Sequence, residues 1–171
     1  ADRRFHAQPN ACPVCGPRLI VLDGSGQALN SADPLSEAIR ALRTGATVAV
    51  KGLGGFLLAC DATSDAAVLR LRERKGRPDK PFAVMVRDLP NAHRHCIVNE
   101  QEQELLTSTA APIVLMRWRA ESTMSREVAP RLLYLGLMLP YTPLHHLLLR
   151  EYGGPLVMTS GNLSEEPIVA D

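Results

Sequence analysis

The sequence predicts an α/β (α+β) fold, a twisted mixed sheet flanked by helices. Three observations predict it. From Leu19 onward, short apolar runs of strand length alternate with segments that carry helix-capping residues. The apolar runs read as buried strands, which fits a largely covered sheet. Apolar residues make up 46% of the 171 positions and aromatics only 4%, so the core is built from Leu, Val, Ile and Ala.

The elements follow in order. Leu19–Leu22 reads as a short strand ended by Asp23-Gly24-Ser25-Gly26. Asp33 caps a helix with Pro34 in its first position and Leu35, Ile39 and Leu42 as the apolar stripe; Gly45 ends it. Thr47–Val50 is a strand, Lys51-Gly52-Leu53-Gly54-Gly55 a turn, and Phe56–Cys60 the next strand. Ser64 caps a helix whose inner face is Ala67, Val68 and Leu71. A basic loop, Lys75-Gly76-Arg77-Pro78-Asp79-Lys80-Pro81, leads into a strand over Phe82–Val86. Leu89–His95 is a helix, and Asn99 with Glu102 forms a capping box for a helix over Glu100–Thr107. Ile113–Trp118 is a strand, 120–132 irregular surface, and Leu135–Leu139 another strand. Thr142 and Pro143 open a helix through Tyr152, stopped by Gly153 and Gly154. Leu156–Thr159 is the last strand and opens into Ser160-Gly161-Asn162.

The bulk properties narrow the function classes. The formal charge is +1, and no run of apolar residues is long enough to span a membrane. The first residues do not form a signal peptide, so a cytoplasmic protein is expected. The chain does not begin with Met and is expected to be a piece of something longer. The scarcity of aromatics argues against a base-stacking platform. Residues 1–18 are polar, contain three prolines, and carry Cys12 and Cys15 in Cys-x-x-Cys spacing. That is half of a zinc ribbon, with the missing ligands expected upstream. Cys60 and Cys96 sit in core-like contexts. His145 and His146 are adjacent on a helix and point about 100° apart, so one buried and one exposed is expected.

Three loops carry groups suited to phosphate chemistry. The glycine-rich turn after Lys51 permits close backbone approach and brings a charge. The segment from Arg70 to Lys80 holds six cations against two anions. Arg70, Arg72 and Arg74 fit an ordinary solvated helix end. Lys75, Arg77 and Lys80 fit that account less well, because prolines and a glycine constrain them. Thr159, Ser160 and Asn162 place two hydroxyls and an amide at a strand end. Together the three loops suggest a site for phosphates.

Four stretches also resemble a known family. They are Lys51-Gly-Leu-Gly-Gly-Phe through Asp61, Arg74-Lys-x-Arg-Pro-x-Lys-Pro-Phe through Met85, Leu135-Gly-Leu-Met-Leu-Pro-Tyr-Thr-Pro-Leu-His-His146, and Thr159-Ser-Gly-Asn through Pro167. They are similar to the YrdC-like domain of HypF, the carbamoyltransferase family of nickel–iron hydrogenase maturation. The start of the chain, through Pro17, resembles the end of the zinc-finger region that precedes that domain. The resemblance implies residues 1–18 as finger and 19–171 as a nucleotide-binding domain truncated at its C-terminus. It implies that carbamate and ATP, with Mg²⁺, give carbamoyl adenylate and pyrophosphate. A further domain would pass the carbamoyl group to a HypE-type acceptor protein. Lys75 and Arg77 match the family's Lys-x-Arg, and Ser160 and Asn162 its Ser-x-Asn. These residues, with Lys51, Lys80 and Thr159, become the expected substrate-binding set, and Cys12 and Cys15 the expected Zn²⁺ ligands. Threonylcarbamoyl-adenylate synthases share the fold but carry a Pro-Thr-Glu type motif where Lys51-Gly52-Leu53 stands, which argues for a substrate smaller than threonine. The competing readings are threonylcarbamoyl-AMP synthesis for tRNA modification, or a non-catalytic double-stranded RNA-binding module using the same basic surface.

Overall fold

The computed structural model describes residues 16–162. The chain divides into two units, Ala1–Ala38 and Ile39–Asp171, with the boundary inside the first helix. The described part of the first unit holds a turn closed by a single bridge between Leu22 and Ala28. Asp23 organises the turn, its carboxylate accepting from the Ser25 amide and hydroxyl and from the Gln27 amide. The strand expected over Leu19–Leu22 does not form. That run finds no ladder among the described residues, and Leu19, Ile20 and Leu22 stay exposed.

The second unit is a mixed seven-stranded sheet with helices, as expected. In chain order the described elements are α1 (Pro34–Arg43), β1 (Val48–Lys51), β2 (Phe56–Asp61), α2 (Asp65–Lys75), β3 (Ala83–Met85), α3 (Leu89–His95), β4 (Cys96–Ile97), α4 (Glu100–Thr107), β5 (Val114–Trp118), a 3-10 turn (Arg126–Val128), β6 (Tyr134–Met138), α5 (Pro143–Tyr152) and β7 (Leu156–Ser160). The caps sit where the sequence places them. The Ser64 hydroxyl accepts from the Ala67 amide, Asn99 and Glu102 form the reciprocal capping box, and the Thr142 hydroxyl accepts from the His145 amide. Two details differ from expectation. β4 is only two residues long, too short to leave a pattern, and the 120–132 stretch contains the 3-10 turn.

The strands run in the order β1-β2-β7-β3-β6-β5-β4. Only the β3–β6 pair is parallel. Side chains alternate between the two faces. One face carries Cys60, Val84, Val114, Met116, Leu135, Leu137 and Val157, packed with Ala67, Val68 and Leu71 of α2, Ala92 of α3 and Leu106 of α4 into the main core. On the other face, Ala59, Met85, Met138, Leu156 and Met158 are buried outside that cluster, as are Ile39, Leu42, Leu148 and Leu149 of α1 and α5. The remainder of this second face is open. Leu57, Ala83, Leu115, Gly136 and Met158 floor a cleft of about 880 Å³ there. Cys60 and Cys96 are core residues, and His145 is buried while His146 is exposed, as the sequence suggests.

Candidate active site

Sheet register brings the three loops together. β7 pairs antiparallel with β2 so that Ser160 lies opposite Leu57, and β1 pairs with β2 so that Lys51 lies opposite Phe56. The turn after β7 therefore meets the glycine-rich hairpin. The Gly161 amide donates to the Phe56 carbonyl at 2.7 Å, and a Cβ on Gly161 would lie 2.9 Å from that oxygen. Only glycine fits so close an approach. β7 also pairs antiparallel with β3, Met158 opposite Ala83, which sets the basic loop beside Thr159 and Ser160.

Lys75 closes the assembly. The sequence puts it in the loop; the structure makes it the last residue of α2, followed by Gly76 in the left-handed conformation at φ 56°. Its stem is buried, and its ammonium donates to the carbonyls of Ser160 and Asn162, each at 2.6 Å. Burial and the neighbouring Arg77 hold its pKa below the ordinary lysine value. Arg77 donates from Nη2 to the Pro81 carbonyl at 3.0 Å and reaches Thr159 Oγ1 from Nη1 at 3.4 Å. Its Nε is buried with no hydrogen-bond partner among the described residues, and burial lowers its pKa. The Ser160 hydroxyl donates to Asn162 Oδ1.

Arg77, Thr159 and Ser160 form a polar end of the 880 Å³ cleft, whose other walls are mainly apolar. Lys75 and Asn162 adjoin that end through the bonds to the Ser160–Asn162 turn. Lys51 stands on the next hairpin with its ammonium 4.9 Å from the centre of the Phe56 ring. Lys80 is not gathered in: its residue is exposed and does not line the cleft. Cys12 and Cys15 lie outside the described residues.

Arg72 is the residue that the sequence reading misplaces. Expected on a solvated helix surface, it is 5% exposed. Its guanidinium donates to the carbonyls of Arg77, Pro78 and Lys80 in the basic loop and of Glu127 and Val128 in the 3-10 turn. Helical spacing carried the signal. Val68, Leu71, Arg72 and Lys75 follow the i, i+3, i+4, i+7 rhythm, so both cations share the buried stripe.

Comparison with known proteins identifies the family. Residues 40–171 match the Sua5/YciO/YrdC family model, described as telomere recombination. The chain belongs to the Sua5/YciO/YrdC family. Residues 1–22 match the HypF finger model. Over 169 residues the chain is 55% identical to the carbamoyltransferase HypF of Rhodobacter capsulatus, covering 99% of this chain and 22% of that protein. A crystal structure of full-length HypF in a phosphate- and nucleotide-bound form superposes with a TM-score of 0.89 at 48% identity, again over 99% of this chain and 22% of that one. The chain is also 34% identical over 173 residues to human threonylcarbamoyl-AMP synthase, covering 95% of this chain and 61% of that protein. The resemblance to HypF seen in the sequence is thus borne out, and the chain spans about a fifth of the length of those HypF relatives.

Proposed function

We propose that this chain forms carbamoyl adenylate from ATP and carbamate, as one step of a carbamoyltransferase that serves hydrogenase maturation. The carbamate oxygen bonds to the α-phosphorus, the bond from that phosphorus to the β-phosphate bridge breaks, and pyrophosphate leaves. The attacking group, the transferred adenylyl group and the leaving group are all anionic, so fixed cations must offset the charge that gathers between them. The observation that carries the reading is the convergence of Lys75, Arg77, Thr159, Ser160 and Asn162 at one end of a cleft of about 880 Å³, within the size range of small-molecule sites.

The residues fit a nucleotide. Arg77 Nε is a buried donor awaiting an acceptor, and Lys75 gives two of its three donors to carbonyls, leaving a third. In this reading Lys75 and Arg77 act catalytically on the phosphates. Thr159, Ser160 and Asn162 hold phosphate or carbamate oxygens and Lys51 contacts carbamate, while Lys80, outside the cleft lining, would contribute only long-range charge. Mg²⁺ accompanies ATP and shields its phosphates. Residues 19–171 serve as the nucleotide-binding domain and 1–18 as the end of a finger region in which Cys12 and Cys15 share a Zn²⁺ ion with ligands elsewhere. Delivery to a HypE-type acceptor belongs to a longer protein of the kind the HypF relatives represent.

The test is ATP–pyrophosphate exchange in the full chain. It is expected to need carbamoyl phosphate or carbamate and to ignore threonine. Exchange that needs threonine replaces this reading with threonylcarbamoyl-AMP synthesis, to which the identity with the human synthase lends support. The RNA-binding reading is weaker, since Arg72 and Lys75 turn their charge inward. Tight, steeply salt-dependent RNA binding without nucleotide turnover would revive it.

A further inference from the structure

We propose that Arg72 is a positioning residue that shapes the basic loop and so aims Arg77 at the phosphates. The inference rests on the reading of Lys75 and Arg77 as phosphate ligands.

Arg72 does not line the cleft, so it acts through others. No salt bridge engages it among the described residues; its five hydrogen bonds all go to backbone carbonyl oxygens. Nη1 gathers the carbonyls of Arg77, Pro78 and Lys80 at 2.8, 3.1 and 3.0 Å, which winds the loop around one nitrogen. Nε and Nη2 donate to Glu127 and Val128 at 2.7 and 3.0 Å, which anchors the same group to the 3-10 turn. The Phe82 amide donates to that same Val128 carbonyl at 2.9 Å. The Phe82 ring then couples the two arginines: the Arg72 guanidinium lies 4.6 Å and the Arg77 guanidinium 5.3 Å from its centre. Arg72 thus fixes both the backbone that carries Arg77 and the ring on which the Arg77 guanidinium rests.

The planar fork is what the role needs. An ammonium keeps the charge but offers three donors, so Arg72→Lys cannot hold all five carbonyls. A displacement of the order of 1 Å in a positioning group costs up to about 100-fold in rate.

The experiment compares full-chain Arg72→Lys, Lys75→Ala and Arg77→Ala variants with the unaltered protein. Inorganic pyrophosphate affinity is read by calorimetry, and backbone amide exchange over residues 77–82 by mass spectrometry. Arg74→Lys, on the exposed side of α2, is the control and is expected to change neither. Arg72→Lys is expected to weaken pyrophosphate at least about tenfold and to speed amide exchange in the loop although it keeps the charge. If Arg72→Lys keeps both at the unaltered level while Lys75→Ala or Arg77→Ala weakens pyrophosphate, the inference fails and the site reading survives. If none of the three variants weakens pyrophosphate, the site reading fails and takes the inference with it. Should Arg72→Lys not fold, Pro78→Gly carries the test, since it frees the loop and leaves Arg72 in place. Undiminished pyrophosphate affinity in a folded Pro78→Gly protein would overturn the proposal.

Discussion

Replacing Lys75 with Ala removes two jobs at once. The ammonium holds the Ser160 and Asn162 carbonyls at 2.6 Å each. A hydrogen bond to a charged group contributes about 1.5–3 kcal/mol, which puts an upper bound of about 6 kcal/mol on the pair. The bonds are partly buried, so water replaces much of that loss, and about 2–3 kcal/mol is the working expectation. For a domain of this size each kcal/mol moves Tm by about 2–4 °C, giving a fall of about 4–12 °C. Activity is expected to fall further than stability. Loss of one preorganised charge contact to the reacting phosphates lowers the exchange rate by on the order of 10²–10³. Differential scanning calorimetry and ATP–pyrophosphate exchange on the same preparation separate the two effects. Arg77→Ala is the comparator: it loses one bond to Pro81 and a long one to Thr159, so its rate should fall similarly while its Tm falls less. A Lys75→Ala protein with unchanged Tm would refute the tie to the turn, and unchanged exchange in both variants would remove the catalytic role of this pair.

Three other outcomes follow from the geometry. Gly161→Ala must force the turn off Phe56, because the new Cβ would meet backbone oxygen at 2.9 Å and the Phe56 Cβ at 3.1 Å; a Tm loss corresponding to about 1–3 kcal/mol is expected, read by thermal melts, and an unchanged Tm would show that the contact relaxes freely. Burial, and for His145 the adjacent His146, holds His145 and His95 below the ordinary histidine pKa. The unfolded chain therefore binds more protons below about pH 6.5, so stability falls as pH drops through that value toward the lower folded pKa values. The slope is at most about 1.4 kcal/mol per pH unit for each group, and His145→Phe should flatten denaturant midpoints between pH 7 and 5; an unaltered slope would count against a neutral buried His145. Burial pushes the thiols of Cys60 and Cys96 up to about 12, so neither should react with a thiol reagent at pH 8 until the chain unfolds; rapid labelling of the folded protein would contradict their burial.

How legible each part was depended on how local its cause is. The helix starts at Ser64, Asn99 and Thr142 could be read because a cap is a contact over three residues. β4 could not, since its two residues are strand only by pairing with Arg117 and Trp118. Leu19–Leu22 has strand composition, but composition supplies no partner ladder. In the candidate site, residue types and loop positions pointed to Lys75, Arg77 and Ser160, and register then brought them together. Lys80 was grouped with them by sequence proximity, yet it lies outside the cleft lining. Arg72 was lost for a different reason. A charged side chain invites a solvent-facing account, and the five carbonyls that offset its burial come from segments 5 to 56 residues away.

The place of β7 in the sheet has a kinetic consequence. It is the last strand of the described chain, yet it lies between β2 and β3. Until it arrives, the β1–β2 hairpin has no strand joining it to the β3-β6-β5-β4 ladder. Sheet closure therefore waits for contacts between residues more than a hundred positions apart, such as Leu57 with Ser160. Such long-range pairing slows folding. On the ribosome, the half-sheets stay apart until residues 156–160 have left the exit tunnel, so the ammonium of Lys75 meets its acceptors only at the end of synthesis of this segment.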